Sequence, residues 1–161
     1  MSLITFLMRL RTYEIADTEE IMKLFNDTVH QVNNIHDYTE EQLDAWAPAK
    51  MDIDVWIKSL ANKFTYVAEE QGKIIGFGEL EVNGHLHRFY CHKDFQRKGI
   101  GKNILEQLES KAKVLGIEKL FTQASITAKP FFESQNFLVL KQQEVELRGQ
   151  KLIYFIIEKS I

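Results

Sequence analysis

The chain has 161 residues, enough for one domain of ordinary size and too few for two. Apolar residues make up 45% and charged residues 27%, which matches a globular protein and excludes a disordered or collagen-like chain. The net charge of −3 argues against a broad basic surface for nucleic acid. No apolar run approaches the roughly 20 residues of a membrane span, so we expect no membrane partner.

The beginning of the chain and its cysteine content bear on its location. Residues 1–8 are apolar, but they lack the basic start and the small-residue cleavage site of a secretory signal. The single cysteine, Cys91, excludes an internal disulfide and cannot form a thiolate zinc site alone. We therefore expect a cytoplasmic protein with one domain over residues 1–161, its core at about 9–158 and residues 1–8 as a candidate tail.

The first elements are predicted from periodicity and capping residues. Polar and apolar residues alternate over residues 9–15, as in a strand. Apolar residues then recur at helical spacing from residue 17 to about His30, before a break at Asn33-Asn34. Thr39 and Gln42 have the spacing of a capping box, which predicts a short second helix.

The rest of the chain predicts an alternation of strands and helices. Asn83-Gly84 is a strong hairpin signal, Gly116 ends a helix, and Pro130 begins one. The expected elements are a helix near 52–60, strands at 64–68, 74–82 and 85–91, a helix at 99–115, a strand at 118–125, a helix from 130, and a hairpin of 137–148 with 151–158. The order β-α-α-α-β-β-β-α-β-α-β-β is that of a mixed α/β domain.

One segment between a strand and a long amphipathic helix has the character of a phosphate site. Two glycines there let the backbone approach a bulky ligand, and the first amides of a helix suit a phosphate or pyrophosphate. Three basic side chains add positive charge nearby. The segment consists of Gln96, Arg97, Lys98, Gly99, Ile100, Gly101 and Lys102.

Two other phosphate-binding motifs do not match the residues of this segment. A Walker A loop requires glycine where the chain has Gln96, and Ser or Thr where it has Asn103. A dinucleotide-binding fingerprint requires a third glycine where the chain has Ile104. A purely structural turn into the helix remains an alternative on the glycines alone.

In its setting, the segment resembles the acetyl-CoA signature of the GNAT N-acetyltransferase superfamily. The likeness covers residues 9 to 158, and its motifs lie at 75–79, 89–101 and 125–137. Residues 38–48 are similar to a bacterial subgroup of acetyltransferases whose acceptors are poorly defined. The resemblance implies a twisted, mostly antiparallel sheet with helices on both faces and a splayed parallel pair of strands at its centre, around 85–91 and 118–125.

The resemblance also implies a site for acetyl-CoA as cosubstrate. Main-chain groups of Phe89, Tyr90 and Cys91 would pair with the pantetheine arm, and amides of residues 97–102 would hold the pyrophosphate. Ser125 and Phe132 would flank the far side of the cofactor near the thioester. The implied reaction is acetyl transfer to a primary amine by direct attack in a ternary complex, with residues 17–62 forming the acceptor pocket.

The attacking amine must first lose a proton. A lysine-like amine has a pKa of about 10.4, so deprotonation near pH 7 costs roughly 4–5 kcal/mol. Strand periodicity puts His85, His87, Phe89 and Cys91 on one face, and a histidine titrates near neutrality. By the resemblance, His85 stands where histone-type members carry a glutamate base and His87 where the subgroup often has Asp. We expect His87 or His85 to be the base, with a water relay as the alternative.

The chain departs from the family at the residue that protonates the leaving thiolate. Many members place a tyrosine in the short helix after the last parallel strand, whereas this chain has Phe131-Phe132. Phenylalanine donates no proton, so Tyr90, Tyr154 or solvent would have to replace that group.

Three alternatives therefore stay open at the level of sequence. Replacement of the usual tyrosine keeps a non-catalytic acyl-CoA-binding sensor in consideration beside the enzyme. A nucleotide-phosphate binder of another fold is the third reading.

His30, His36 and His92 show no ligand spacing with carboxylates, so the sequence predicts no metal. The protein is expected to be a monomer or a homodimer.

Overall fold

A computed structural model describes residues 8–32, 36–96 and 98–161. The strands are Arg9–Thr12 (β1), Phe64–Glu70 (β2), Lys73–Leu80 (β3), Leu86–Cys91 (β4), Lys119–Ser125 (β5), Leu138–Leu147 (β6) and Gln150–Ser160 (β7). The helices are Thr18–Gln31 (α1), Glu40–Trp46 (α2), Ile53–Ala61 (α3), Ile100–Val114 (α4) and Lys129–Ser134 (α5). The predicted break at Asn33-Asn34 and most of the candidate tail lie outside the described residues.

The strands form two antiparallel sheets that meet at one point. One sheet has the order β1-β2-β3-β4 and the other β5-β7-β6. In the described part of the chain, one parallel bridge, between His85 and Phe121, joins them, and the Phe121 amide donates to the Gly84 carbonyl at 3.1 Å. Beyond this point β4 and β5 run parallel and separate. The predicted splayed pair and the mixed α/β fold class are therefore confirmed.

Helix α4 lies against one face of the first sheet because two glycines in β3 leave room for it. A Cβ on Gly76 would come within 2.7 Å of Ile104 Cδ1, and one on Gly78 within 2.8 Å of Leu108 Cδ1. Both side chains belong to the fully buried stripe of α4. Close approach of α4 to β3 sets the position of the helix N-terminus relative to β4.

Helices α1, α2 and α3 cover the opposite face of the first sheet. Their buried side chains, among them Ile21, Phe25 and Leu60, pack with Val67 and Phe77 in a second apolar cluster. Helices therefore lie on both faces, as expected. No helix in the described ranges is long and apolar enough to cross a membrane.

Several local signals in the sequence produce the expected contacts. Thr39 and Gln42 form the capping box, with the Gln42 amide donating to Thr39 Oγ1 at 3.2 Å and the Thr39 amide donating to Gln42 Oε1 at 2.8 Å. Gly149 has a φ of 80° in the turn between β6 and β7, a conformation that favours glycine. The first strand is shorter than predicted because Ile15–Asp17 form a 3₁₀ turn before α1.

Candidate active site

A cleft of about 790 Å³ opens where β4 and β5 separate. It is bordered by the ends of both strands, the first turn of α4, and parts of α1 and α5. Of the residues predicted for the site, those lining the cleft are His87, Phe89, Tyr90, Cys91, Gln96, Gly99, Ile100, Gly101, Lys102, Ser125 and Phe132. His85 and Lys98 lie outside this lining, and Arg97 lies outside the described residues.

The N-terminus of α4 presents main-chain donors to the cleft. Gly99 precedes the helix with a φ of 78°, and the first helical bond runs from the Asn103 amide to the Gly99 carbonyl. The amides of Ile100, Gly101 and Lys102 therefore have no carbonyl of a preceding turn to bond. Helices α1, α2 and α3 each carry an acidic residue in the first turn, whereas α4 carries none. This helix end is suited to an anion.

Gln96 ties the loop before α4 to the end of β4. Its Nε2 donates to the Cys91 carbonyl at 2.7 Å and to the His92 carbonyl at 3.1 Å. Both amide hydrogens of this side chain are thereby used within the protein. Lys98 Nζ lies 5.2 Å from the centre of the Phe95 ring, beside the cleft and not in its lining.

The free edge of β4 points toward the gap between the sheets. The His92 amide donates to the Ile75 carbonyl, and Tyr90 is the register partner of Phe77. Since main-chain groups alternate along an antiparallel ladder, those of Tyr90 face β3 and those of Phe89 and Cys91 face the gap. The Cys91 carbonyl already accepts from Thr28 Oγ1 at 3.0 Å as well as from Gln96.

A β-bulge changes which side chains of β4 share a face. The register with β3 shifts between Gly78 and Leu80, so His87 and Arg88 together stand opposite one residue. Leu86, Phe89 and Cys91 pack in the cluster that contains α4. The prediction that His85, His87, Phe89 and Cys91 lie on one face is wrong, because the extra residue reverses the alternation between the histidines and Phe89.

The two histidines converge on one carboxylate. His85 Nδ1 lies 2.9 Å from Glu81 Oε1, and His87 Nδ1 lies 3.8 Å from the same oxygen. His85 Nε2 lies 2.7 Å from Gln123 Oε1, so both ring nitrogens of His85 have partners. Among the described residues, the His87 ring has no hydrogen bond this short, and it lines the cleft with 41% of its side chain exposed.

The surroundings of His87 favour its neutral form. Desolvation lowers the pKa of His87 to about 4, with further lowering by the nearby charges of Arg88 and Lys63 and opposition from Glu81. At neutral pH the imidazole is therefore unprotonated, and the same shift makes it a weaker base than an ordinary histidine. Between the two histidines, His87 is the one that faces the cleft.

The far wall of the cleft is formed by the end of β5 and by α5. Ser125 Oγ accepts from the Ala128 amide at 3.0 Å, which shapes the turn into α5. The Phe131 ring stacks on Phe89 at 5.6 Å and lies where a Cβ on Gly101 would approach it at 3.1 Å. Phe132 is 3% exposed and packs against Phe89, Phe131 and Phe137. This wall is apolar at the position where many members of the resembled family carry a tyrosine.

The two tyrosines proposed as proton donors differ in their surroundings. Burial raises the pKa of Tyr90, whose ring packs against Phe25 and Phe77. The Tyr154 hydroxyl donates to Gln143 Oε1 at 2.8 Å. Burial also raises the pKa of the Cys91 thiol to about 12, which keeps it protonated.

Sequence reasoning missed residues that shape the cleft from distant parts of the chain. The Tyr38 hydroxyl accepts from the Ile126 amide and donates to the Ile153 carbonyl, both at 2.9 Å. Thr28 and Gln123 were likewise not singled out. Nothing in their local sequence marks these residues, since each acts on a segment more than 30 positions away.

Comparisons with known proteins agree with this geometry. The family model for the acetyltransferase (GNAT) domain matches residues 34–158. An uncharacterized N-acetyltransferase, YafP of Escherichia coli K12, is 30% identical over 142 residues, covering 88% of this chain and 89% of the relative.

Solved structures extend the agreement to the whole fold. A GCN5-related N-acetyltransferase from Rhodopseudomonas palustris superposes with a TM-score of 0.92 at 27% identity and covers 100% of both chains. The PaiA N-acetyltransferase of Thermoplasma acidophilum, crystallised in complex with coenzyme A, superposes with a TM-score of 0.76 at 21% identity, over 96% of this chain and 99% of that one.

Proposed function

The chain belongs to the GNAT acetyltransferases, and from that premise we propose that it moves an acetyl group from acetyl-CoA to a primary amine by direct attack in a ternary complex. The observation that carries the proposal is the cleft between β4 and β5, which is bordered by the N-terminus of α4. The first turn of α4 contains no acidic residue. No other helix of eight or more residues in the described ranges begins without an acidic residue in its first turn.

The pyrophosphate of acetyl-CoA would be held by the first turn of α4. The amides of Ile100, Gly101 and Lys102 would donate to phosphate oxygens, and the helix dipole would stabilise the negative charge. Lys102 and Lys98 would add positive charge in or near this turn, and Arg97 precedes Lys98 in the sequence. Gln96 would keep the loop in place through its two bonds to the β4 end.

The pantetheine arm would lie along the free edge of β4. Phe89 has both main-chain groups directed at the gap, whereas the Cys91 carbonyl is already bonded and leaves the Cys91 amide available. That amide is our candidate for hydrogen bonding the thioester oxygen as negative charge develops on it. Ser125, Phe131 and Phe132 would enclose the far side and exclude water from the thioester.

We assign to His87 the role of general base, which accepts the proton lost by the attacking amine. Its ring lines the cleft and is neutral at physiological pH, so a ring nitrogen is free to take the proton. Because a pKa of about 4 makes this imidazole a weak base, it would pass the proton on to solvent rather than keep it. Both ring nitrogens of His85 are hydrogen-bonded, to Glu81 and Gln123. His85 would therefore help to position Glu81 rather than accept the proton of the amine. The acceptor would enter from the side of α1, where Thr28 and Val32 border the cleft.

The departing thiolate would take its proton from Tyr90 or from solvent. Tyr90 lines the cleft, and its raised pKa keeps the phenol protonated while making it a weak acid. Tyr154 is less suited, since its hydroxyl is engaged with Gln143. Direct transfer without an acyl-enzyme also agrees with the half-buried, protonated thiol of Cys91, which is poorly suited to act as a nucleophile.

The test is acetyl-CoA turnover against a panel of amines of different size and charge. Release of free coenzyme A should depend on one class of amine, and initial-rate lines for the two substrates should intersect, as in a ternary complex. Parallel lines would contradict direct transfer. Saturable binding of acetyl-CoA with no turnover on any amine would instead favour the non-catalytic acyl-CoA sensor.

A further inference from the structure

We propose that Glu81, His85 and His87 form a binding site for a divalent transition-metal ion of the zinc class. The three residues come from the turn after β3 and the start of β4, beside the point where the two sheets are bridged. One ligand atom from each lies within 4.8 Å of the others, and this is the one such group in the described part of the chain.

Two of the three separations between donor atoms are close to those around a small ion. Ligands of a tetrahedral zinc ion, at about 2.0–2.2 Å from the metal, lie roughly 3.3–3.6 Å from one another. Glu81 Oε1 lies 2.9 Å from His85 Nδ1 and 3.8 Å from His87 Nδ1, on either side of that spacing. The separation between the two histidine nitrogens is within 4.8 Å, so the side chains would rotate to bring all three donors to bonding distance.

A second partner already fixes the orientation of one ligand. His85 Nε2 lies 2.7 Å from Gln123 Oε1, and its ring stacks on Phe121 at 5.1 Å. A metal-bound histidine characteristically donates its other ring N–H to an oxygen, which fixes the tautomer and leaves the opposite nitrogen for the metal. His85 is only 16% exposed at its side chain, so its position is well defined by packing.

The charges around the cluster are compatible with a divalent ion. Within the described residues, the ion-pair partners of Glu81 are the two histidines, so no lysine or arginine neutralises its carboxylate. The nearby cations Arg88 and Lys63 oppose a divalent ion, as they oppose protonation of His87, but Arg88 is bonded to Glu79 and Lys63 Nζ donates to Ser59. One carboxylate and two imidazoles are a donor set preferred by zinc, cobalt and nickel rather than by calcium or magnesium.

The site would be accessible rather than sealed. Three protein ligands leave a fourth position for water, and His87 opens on the cleft. If His87 is the base, as the proposed function holds, a bound ion would withdraw it from proton transfer. The metal site itself rests on the geometry alone and stands without any transferase activity.

The experiment is a titration of the tag-free full chain, freed of metal with a chelator, with Co²⁺ followed by visible absorption and with Zn²⁺ in competition. We expect one equivalent of Co²⁺ to bind with the intense bands of a tetrahedral site, and Zn²⁺ to displace it. Glu81→Gln, His85→Ala and His87→Ala should each weaken binding by more than tenfold, and Gln123→Leu by about tenfold.

His30→Gln is the matched control, because it removes an imidazole from the contact between α1 and α2 and should leave affinity unchanged. Circular dichroism checks that each variant is folded. Absence of saturable Co²⁺ binding to the wild-type chain overturns the site. Wild-type affinity in any of the three ligand variants overturns it equally, and neither result bears on acetyl transfer.

Discussion

Arg88 holds the fully buried carboxylate of Glu79 with two of its nitrogens, Nε at 2.6 Å and Nη2 at 3.1 Å. The guanidinium also lies 3.9 Å from the centre of the Trp56 ring and donates to Ser59 Oγ. Arg88 is the bulge residue next to His87. A buried ion pair thus connects helix α3 to the strand segment that carries the proposed base.

Replacing Arg88 by methionine should destabilise the protein strongly. The change leaves Glu79 without its partner in the interior, where burial already raises its pKa despite the arginine, so the carboxyl group must either take up a proton or stay charged without a counter-ion. We expect the free energy of unfolding to fall by about 3–5 kcal/mol, measured by urea denaturation. The double variant Glu79→Leu/Arg88→Met should recover most of the loss, because it removes both charges.

The control for this comparison is Lys23→Ala, which breaks an exposed pair with Asp27 on α1. It should change the stability by less than about 0.5 kcal/mol. A loss in Arg88→Met no larger than that of the control would contradict the role given to the buried pair.

Local signals predicted the elements better than the contacts between them. Three features that depend on neighbouring residues were predicted from the amino-acid sequence: the capping box at Thr39, the hairpin turn at Gly149 and the entry to α4 at Gly99. The splay of β4 from β5 came from family resemblance and not from periodicity.

The bulge at His87 and Arg88 could not be predicted in the same way. It depends on the pairing of Arg88 with Glu79 and on the stacking against Trp56, which lies more than 30 positions away. Strict alternation therefore put His87 on the wrong face relative to Phe89. The convergence of Glu81 and the histidines on one point was missed for the same reason.

A carboxylate at the entry to α4 should abolish cofactor binding. Gly99→Glu would place a negative charge beside the amides proposed to hold the pyrophosphate. Gly149→Glu is the matched control, since both glycines have φ near 80° and open space for a Cβ, and Gly149 lies in the β6–β7 turn. Calorimetric titration with coenzyme A should give no saturation for Gly99→Glu and wild-type affinity for Gly149→Glu. Equal affinity of both variants for coenzyme A would show that the pyrophosphate binds elsewhere on the protein.

Removing the imidazole of His87 should affect turnover more than cofactor binding. We expect His87→Ala to lower kcat by about 10²–10⁴-fold, the range associated with a lost general base. The affinity for acetyl-CoA should stay within a factor of a few, because the proposed phosphate site lies at α4. His30→Gln again serves as control. A variant with unchanged kcat at saturating amine would remove His87 from the mechanism.

Introducing a tyrosine in helix α5 should lower the stability of the protein at Phe132 and have little effect at the neighbouring Phe131. Phe132 is buried among three aromatic rings, so the hydroxyl of Phe132→Tyr would lose its water without a partner. We expect a loss of about 1–3 kcal/mol in the free energy of unfolding. Phe131 is half-buried at the cleft, and Phe131→Tyr should be tolerated. Equal stability of both variants would show that Phe132 has polar surroundings in solution.

The thiol of Cys91 should react slowly although it lines the cleft. Burial raises its pKa from 9.0 to about 12, which reduces the thiolate fraction at pH 8 by about a thousandfold. Since the thiolate is the reactive form, alkylation by iodoacetamide should be slower by about that factor than in the protein unfolded by guanidinium. Cys91→Ser should accordingly retain transfer activity, because no acyl-enzyme is required. Alkylation of the folded chain at the unfolded rate, together with an inactive serine variant, would instead favour a covalent route through this residue.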